Sequence, residues 1–511
     1  MLKKSFAFIL AALILSSAFL TGCSESTPNA ETDASAADTG ANAADPAVTE
    51  PEALETERMY ANIPDDVNFD GYTFTILCSS NSEYGIIQND FAAEEITGEP
   101  INDARYNRNL LISDKLNVAI TTMETDGAGS GKGFTYISQD VQGGTSAYDI
   151  ATACGYDTTK LAQSNFLYNI KNVPYIDLAA PWWDQVAERD MSILGQLFFS
   201  TGDITTSDDD ATYCIMFNKQ MIEDYSMENP YDLVNNSKWT MDKFISMATQ
   251  VTEDSNGDGK YTDADKYGAM VWDDTMMGIV NCSGAKCVTV NSQGLMEMTL
   301  NTETVVDSVT KFLDFAAQKQ YCCAYQRLNW NDSLLVNMFS GDQTLFLTQL
   351  IQIVPKMRDM DTDFGILPVF KYTETQDKYY TTVGSWHSVF YCIPNGQQNV
   401  ERTGIISEML ACEGKYDLTE AYYEKTLVGK TTRDEESRAM LDIIFSSRVY
   451  DLGWYFNVGN YTGAIMDLFR NNNNNFASMY KTSSRVAEKT LQKNNEAFIE
   501  AKESLDAQMG G

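Results

Sequence analysis

Asn102–Met123 reads NDARYNRNLLISDKLNVAITTM, and the change of period inside it decides the fold. Up to Asn117 the apolar residues recur at helical spacing, with Ala104, Leu110, Leu111 and Leu116 as inward candidates. From Val118 to Met123 the run becomes strand-like. The same alternation continues on both sides. Upstream, Tyr72, Phe74 and Ile76 alternate with Thr73 and Thr75, which marks the first strand. Downstream, a helical stretch near Tyr136–Val141 precedes the strand Tyr148-Asp149-Ile150-Ala151-Thr152-Ala153. Val305, Val306, Val309, Phe312, Leu313 and Ala316 predict another helix. Ala487, Leu491, Phe498, Ala501 and Leu505 predict one packed stripe on a helix over Ser484–Gln508. Asn471–Asn475 reads as a loop, because Asn disfavours helix interiors. Strands separated by helices predict an α/β fold with parallel sheets.

The N-terminus has the layout of an export signal. Lys3 and Lys4 precede a short apolar core, Phe6–Leu15, and Ser16–Leu20 leads out of it to Leu20-Thr21-Gly22-Cys23. The apolar run is too short for a membrane span, so residues 1–22 read as a cleaved signal peptide. The L-x-G-C ending resembles the bacterial lipobox. That resemblance implies cleavage before Cys23 and lipid on its sulfur, which anchors the mature chain to the outer face of the bacterial cytoplasmic membrane. An ordinary cleaved signal with an incidental cysteine is the plainer alternative. Ser24–Arg58 is rich in Ala, Ser, Thr, Asp and Glu and poor in large apolar residues, so it cannot offset its ordering entropy. Residues 23–59 therefore read as a lipidated cysteine and a disordered leash.

Signal and leash removed, roughly 450 residues remain, enough for two sizeable domains. No later segment carries the apolar run of a transmembrane helix. The formal net charge of -36 argues against nucleic acid and against adhesion to anionic lipid. Of 10 cysteines, lipidation of Cys23 leaves an odd number, so they cannot all pair within the chain. Cys282 and Cys287 could pair if a turn brings them together; otherwise the cysteines read as small buried hydrophobes. A single histidine, His387, rules out a His-rich metal centre. No G-x-S-x-G elbow accompanies it, so His387 reads as structural or cleft-lining.

Several short segments, in order, carry a family resemblance. They are Asn102–Tyr106, Tyr148–Ile150, Met216–Lys219, Asn229–Val234 with Lys238-Trp239-Thr240, Phe339–Asp342, Asp363–Pro368, Ile393-Pro394, Glu408–Leu410 and Gly453-Trp454-Tyr455. Over most of the body the chain resembles extracellular solute-binding lipoproteins of the carbohydrate ABC-importer type, related to maltose-binding proteins. The resemblance implies a two-lobed, type II periplasmic-binding-protein-like α/β fold with a ligand cleft between discontinuous lobes. The expected lobes are 60–211 with 339–385, and 212–338 with 386–511. It also implies a monomer that captures a carbohydrate, an oligosaccharide, and delivers it to an ABC permease without consuming it. A surface glycoside hydrolase using paired carboxylates and a lipoprotein sensor presenting ligand to a receptor are the alternatives.

Sugar rings offer flat C–H faces to aromatic side chains, and their hydroxyls need carboxylates and amides. Trp183, Trp272, Trp386, Trp454 and Tyr455 are the aromatic candidates, although any of them can equally be core. By position in the family pattern, Tyr156, Asp157 and Gln349 could also reach the cleft.

Asp254–Asp265, DSNGDGKYTDAD, places oxygen ligands at loop positions one, three and five: Asp254, Asn256 and Asp258. Gly259 permits the sharp turn, Lys260 offers its carbonyl, Thr262 acts directly or through water, and Asp265 takes position twelve. The pattern predicts a structural calcium ion. A solvated acidic turn is the alternative. The loop also resembles half of a dockerin module, but no second copy exists and a strand-like Tyr267–Trp272 follows it.

Overall fold

The computed structural model describes residues 58–80, 89–126, 129, 131–357, 360–427 and 435–509. The signal peptide, Cys23 and nearly all of the leash lie outside them. Met59–Gly511 forms one compact unit.

Chain order builds the first sheet early. Strand β1 (Tyr72–Ser80) leads to helix α1 (Pro100–Leu116), strand β2 (Val118–Asp126), helix α2 (Lys132–Gly143), strand β3 (Ile150–Cys154), helix α3 (Gly155–Gln163) and the short strand β4 (Phe199–Ser200). β1 pairs parallel with both β2 and β3, as expected for strands joined through helices. The N-terminus of α1 is fixed by Glu99, whose side chain accepts from the Asn102 amide, with Pro100 at the first helical position. Its buried face differs from the expected one. Ile101, Ala104, Ile112 and Leu116 point inward, while Leu110 and Leu111 are exposed. Two buried arginines account for this. Arg105 pairs with Asp90, and Arg108 donates to the Asp90 and Ile204 carbonyls, so polar residues occupy inward positions that hydrophobicity assigns elsewhere.

The chain then crosses to a second sheet: β5 (Tyr213–Asn218), β6 (Thr252–Glu253), β7 (Lys266–Val271), a small separate hairpin of β8 (Val288–Val290) and β9 (Met296–Met298), then β10 (Cys322–Ala324), β11 (Thr344–Leu350) and β12 (Phe364–Leu367). Its order is β10-β7-β11-β5-β12, with β6 paired to β7. A return crossing through β13 (Thr381–Thr382) delivers β14 (Val389–Cys392) into the first sheet, whose order becomes β2-β1-β3-β14-β4. The final strand, β15 (Arg448–Val449), pairs parallel with β13.

These pairings correct the expected lobe boundaries. Residues 344–350 and 364–367 belong to the second sheet, because β11 and β12 both pair antiparallel with β5. Residues 389–392 belong to the first, because β14 pairs antiparallel with β3 and β4.

The crossings lie side by side. Thr212 bridges Val383, the Gly384 amide donates to the Ala211 carbonyl, and the Thr381 and Val383 amides donate to the Ser447 and Val449 carbonyls. The Arg448 guanidinium is buried among them. It meets Asp208 at 3.0 Å and Asp184 at 3.6 Å and also pairs with Asp209.

The later helices follow the expected pattern. Glu303–Ala316 buries Val305, Val309, Phe312, Leu313 and Ala316. Phe476–Met509 buries Ala487, Leu491 and Phe498. Asn471–Asn475 connects it to the helix Tyr461–Arg470. Cys78, Cys154, Cys214, Cys282, Cys287, Cys322, Cys323, Cys392 and Cys412 are all buried free thiols, and burial pushes the Cys282 thiol up. Cys282 and Cys287 do not pair. No helix among the described residues is long and apolar enough to cross a membrane.

Trp239 anchors the second lobe. It is fully buried against Phe244, Phe346 and Phe370, and its indole N–H donates to the Pro368 carbonyl at 3.0 Å. Trp239→Ala is expected to cost about 3–5 kcal/mol of stability, read as a lower urea midpoint; a loss below about 1 kcal/mol would contradict this packing.

Candidate functional site

Strand ends of both sheets meet at the crossings, where an open α/β sheet presents its ligand crevice. From the first sheet comes Tyr156, in the first turn of α3 directly after β3. Its hydroxyl lies 3.0 Å from the Ser385 hydroxyl on the return crossing. From the second sheet come Tyr213, at the start of β5, and Trp272-Asp273-Asp274, which follow β7 and precede the helix Thr275–Asn281. The return crossing itself supplies Ser385, Trp386 and His387.

Trp272 is the centre of the group. Tyr213 stacks on it at 5.9 Å between ring centroids and 17° between planes. The His387 ring meets it edge-on at 5.1 Å, and Trp386 packs on His387 at 4.8 Å. The Trp386 indole lies against Gly129, where a Cβ would fall 2.2 Å from its Nε1; with φ of +81° this position requires glycine.

The polar groups around this aromatic cluster are under-used. The Tyr213 hydroxyl, Asp273 Oδ1 and His387 Nδ1 are buried and have no hydrogen-bond partner among the described residues. Such groups are costly unless something else satisfies them. Asp273 is held on its other oxygen by Arg470 at 2.5 Å. Asp274 keeps part of its surface open, does not cap its own helix, and is enclosed by protein on most sides. Exclusion of water, reinforced by the Asp273 carboxylate and opposed by Arg470, pushes its pKa up to about 8. At neutral pH it is a carboxylic acid, able to donate one hydrogen bond and accept others. Burial pushes His387 down to about 3 against the pull of Asp332, so its imidazole is neutral.

Of the expected ligand residues, the structure brings together Tyr156, Trp272 and Trp386. Tyr455 lines the cavity adjoining Tyr156, and the others are buried. Trp454 has no exposed surface, and its indole N–H donates to Asn281 Oδ1 at 3.1 Å. Tyr455 is buried, with its hydroxyl on the Val383 carbonyl. Trp183 is core, and both its N–H and that of Trp182 donate to Glu408 at 2.9 Å. Gln349 is buried and turned back on its own strand, accepting from the Leu350 amide. Asp157 is 1% exposed beneath the first turn of α2. Sequence reasoning missed Tyr213, Asp273, Asp274 and Arg470. The available signal was a carboxylate pair directly after the apolar strand β7.

The acidic loop Asp254–Asp265 joins β6 to β7, so strands flank it and a helix-loop-helix does not form. Its side chains bind its own backbone: Asp254 accepts from the Asp258 and Gly259 amides, Asn256 from Asp258, Asp258 from Lys260, and Asp265 from Ser255 and Thr262. Among the described residues no group of three or more His, Cys, Asp or Glu is arranged to hold a metal ion.

No protein-family model matches the chain, and no curated protein matches it. Solved structures do. An ABC substrate-binding protein from Listeria monocytogenes in complex with cycloalternan is 11% identical, with 86% of this chain and 100% of that one covered, at a TM-score of 0.52. The galacto-N-biose-/lacto-N-biose I-binding protein of the ABC transporter from Bifidobacterium longum is 11% identical, covers 83% and 98%, and reaches 0.54. An ABC transporter solute-binding protein from Thermotoga lettingae bound with α-D-tagatose is 13% identical, covers 83% and 100%, and reaches 0.52. The chain therefore has the two-lobed fold of the ABC solute-binding proteins.

The raised Asp274 pKa has a measurable consequence. Between about pH 4, where an ordinary Asp ionises, and about 8, the folded protein holds a proton that the unfolded chain has lost. The contribution of this group is therefore full below about pH 4 and is lost as the pH rises through about 8. Asp274→Asn is expected to melt at a higher temperature than wild type at pH 8.5, with the gap vanishing near pH 4. A constant gap across that range would refute the assignment.

Proposed function

We propose that this protein captures a saccharide between its lobes and hands it to an ABC importer without chemically altering it. The carrying observation is a set of buried, unpartnered polar atoms, the Tyr213 hydroxyl, Asp273 Oδ1 and His387 Nδ1, on residues in or next to the Tyr213–Trp272–His387–Trp386 aromatic cluster. Aromatic faces with a few convergent hydrogen-bonding groups suit a polyhydroxylated ring. The engagement of Asp273 by Arg470 favours binding over hydrolysis, since it leaves one free carboxyl where a glycosidase needs two. Carbohydrates also occupy the solute-binding proteins whose fold this chain shares.

Binding contacts to both lobes favour the closed arrangement, so the matching sugar should shrink the radius of gyration in solution scattering. Trp386→Ala is expected to weaken binding by about 1.5–3 kcal/mol, roughly ten- to hundredfold in Kd, with melting temperature retained. Recovery of a cleaved sugar after prolonged incubation would replace this reading with hydrolysis. Failure of every saccharide in a broad thermal-shift panel would reject it.

In this reading the body works outside the cytoplasmic membrane, held by lipid on Cys23, and the Asp254–Asp265 loop holds a calcium ion that stiffens the second lobe. The spacing of Asp254, Asn256 and Asp258 and the positive-φ turn at Gly259 support the latter. Intact mass measurement of the detergent-extracted protein tests both. A diacylglyceryl-modified N-terminal Cys23 and one calcium removed by chelator are expected. An unmodified Cys23 or a mass unchanged by chelator would overturn the corresponding part.

A further inference from the structure

A cavity of about 580 Å³ opens beside the aromatic cluster. Gly129 and Tyr156 line it, and these are the residues that touch Trp386 and Ser385 at the cluster described above. It runs from there between α3 and the C-terminal helices Tyr461–Arg470 and Phe476–Met509, along Lys160, Gln163, Thr462, Lys493 and Asn494.

Two features show that this space is built for a polar occupant. Asn494 is 2% exposed; its Oδ1 accepts from Gln163 at 2.8 Å, yet its Nδ2 has no partner among the described residues. Thr462 is 3% exposed, and its hydroxyl is likewise without a partner there. Buried polar atoms of this kind are normally satisfied, by protein, water or ligand.

The charge of the lining is the second feature. The chain carries 72 acidic residues, and none lines this cavity, whereas Lys160 and Lys493 do. Both lysines are exposed, and among the described residues neither makes a salt bridge. The charge of Lys160 acts on Asp157, but that carboxylate is sealed beneath α2. Two ammonium groups and an amide N–H₂ make the cavity rich in donors. In a chain of net charge -36 this lining is opposite in sign to the chain as a whole.

We propose that the ligand is an anionic saccharide, carrying a carboxylate or sulfate group, whose neutral ring sits at Trp272 and Trp386 and whose anionic group is held by Lys160, Lys493 and Asn494. This rests on the saccharide-capture reading and narrows it. The continuity through Gly129 and Tyr156 requires an occupant longer than one ring. The two ammonium groups and the Asn494 amide on the cavity lining offer charge-assisted hydrogen bonds to an oxyanion, stronger than those to a hydroxyl.

The test uses the full chain and a pool of neutral, uronate-bearing and sulfated oligosaccharides of matched length, with the retained members identified by mass after gel filtration. Preferential retention of acidic members is expected, and whether uronates or sulfated sugars are kept identifies the anion. Their affinity should fall as salt rises. Lys160→Met with Lys493→Met should lower affinity for the acidic ligand at least about tenfold and leave melting temperature and neutral-sugar affinity unchanged. Lys160→Gln with Lys493→Gln, which keeps hydrogen-bonding groups without charge, should show the same loss if the first pair folds poorly. Retention of neutral sugars alone, or acidic binding untouched in both double variants, overturns the anionic assignment while saccharide capture stands. Retention of no sugar overturns both.

Discussion

The Arg448 guanidinium is the constraint on which the two-lobed arrangement depends. It is buried where the three crossings run together, and a buried cation persists only when paired. Its partners come from separated parts of the chain: Asp184 ahead of the first crossing, Asp208 and Asp209 within it. Tyr450 adds its hydroxyl to Asp184 and Asp208. Three carboxylates facing one guanidinium leave negative charge in excess, and burial pushes Asp209 well up while Arg448 opposes it. The cluster pins the lateral position of β15, hence of β13, and hence of Ser385–His387 on the following segment. The relative placement of Tyr156 and Trp272 therefore rests on crossings tied together by charge.

Much of the architecture was legible from period alone. β1 begins at Tyr72 and buries Phe74 and Ile76, as its alternation requires. The helix at Glu303–Ala316 buries the stripe that its spacing marks. Sheet membership was not legible. β11, TLFLTQL, is buried along its whole length, and a continuous apolar strand carries no record of which sheet it enters. Only long-range pairing with β5 and β7 assigns it, and family order placed it in the wrong lobe. In α1 the obstacle was chemical: Arg105 and Arg108 sit inward because Asp90 and backbone carbonyls receive them, and hydrophobic spacing cannot foresee a buried cation.

The site was legible in part, for a related reason. Trp183, Trp386 and Trp454 are equivalent in sequence, each a large apolar ring with one donor. What separates them is where that donor goes. Glu408 and Asn281 accept from Trp183 and Trp454 inside the core, whereas Trp386 lies at the rim against Gly129. The neighbouring carboxylates were hidden by abundance. Among so many acids, Asp273 and Asp274 stand out only once β7 is known to end beside them at a crossing.

The place of β14 bears on how the chain reaches this state. It lies between β3 and β4, making contact with both, yet it is encoded after the whole second sheet. Until Val389–Cys392 emerge during synthesis, β3 and β4 keep unpaired edges, and the first lobe cannot close its sheet on its own sequence. Such late, non-local pairing slows folding and leaves apolar strands exposed while it waits. A nascent chain of this design is held back from premature compaction by its own topology.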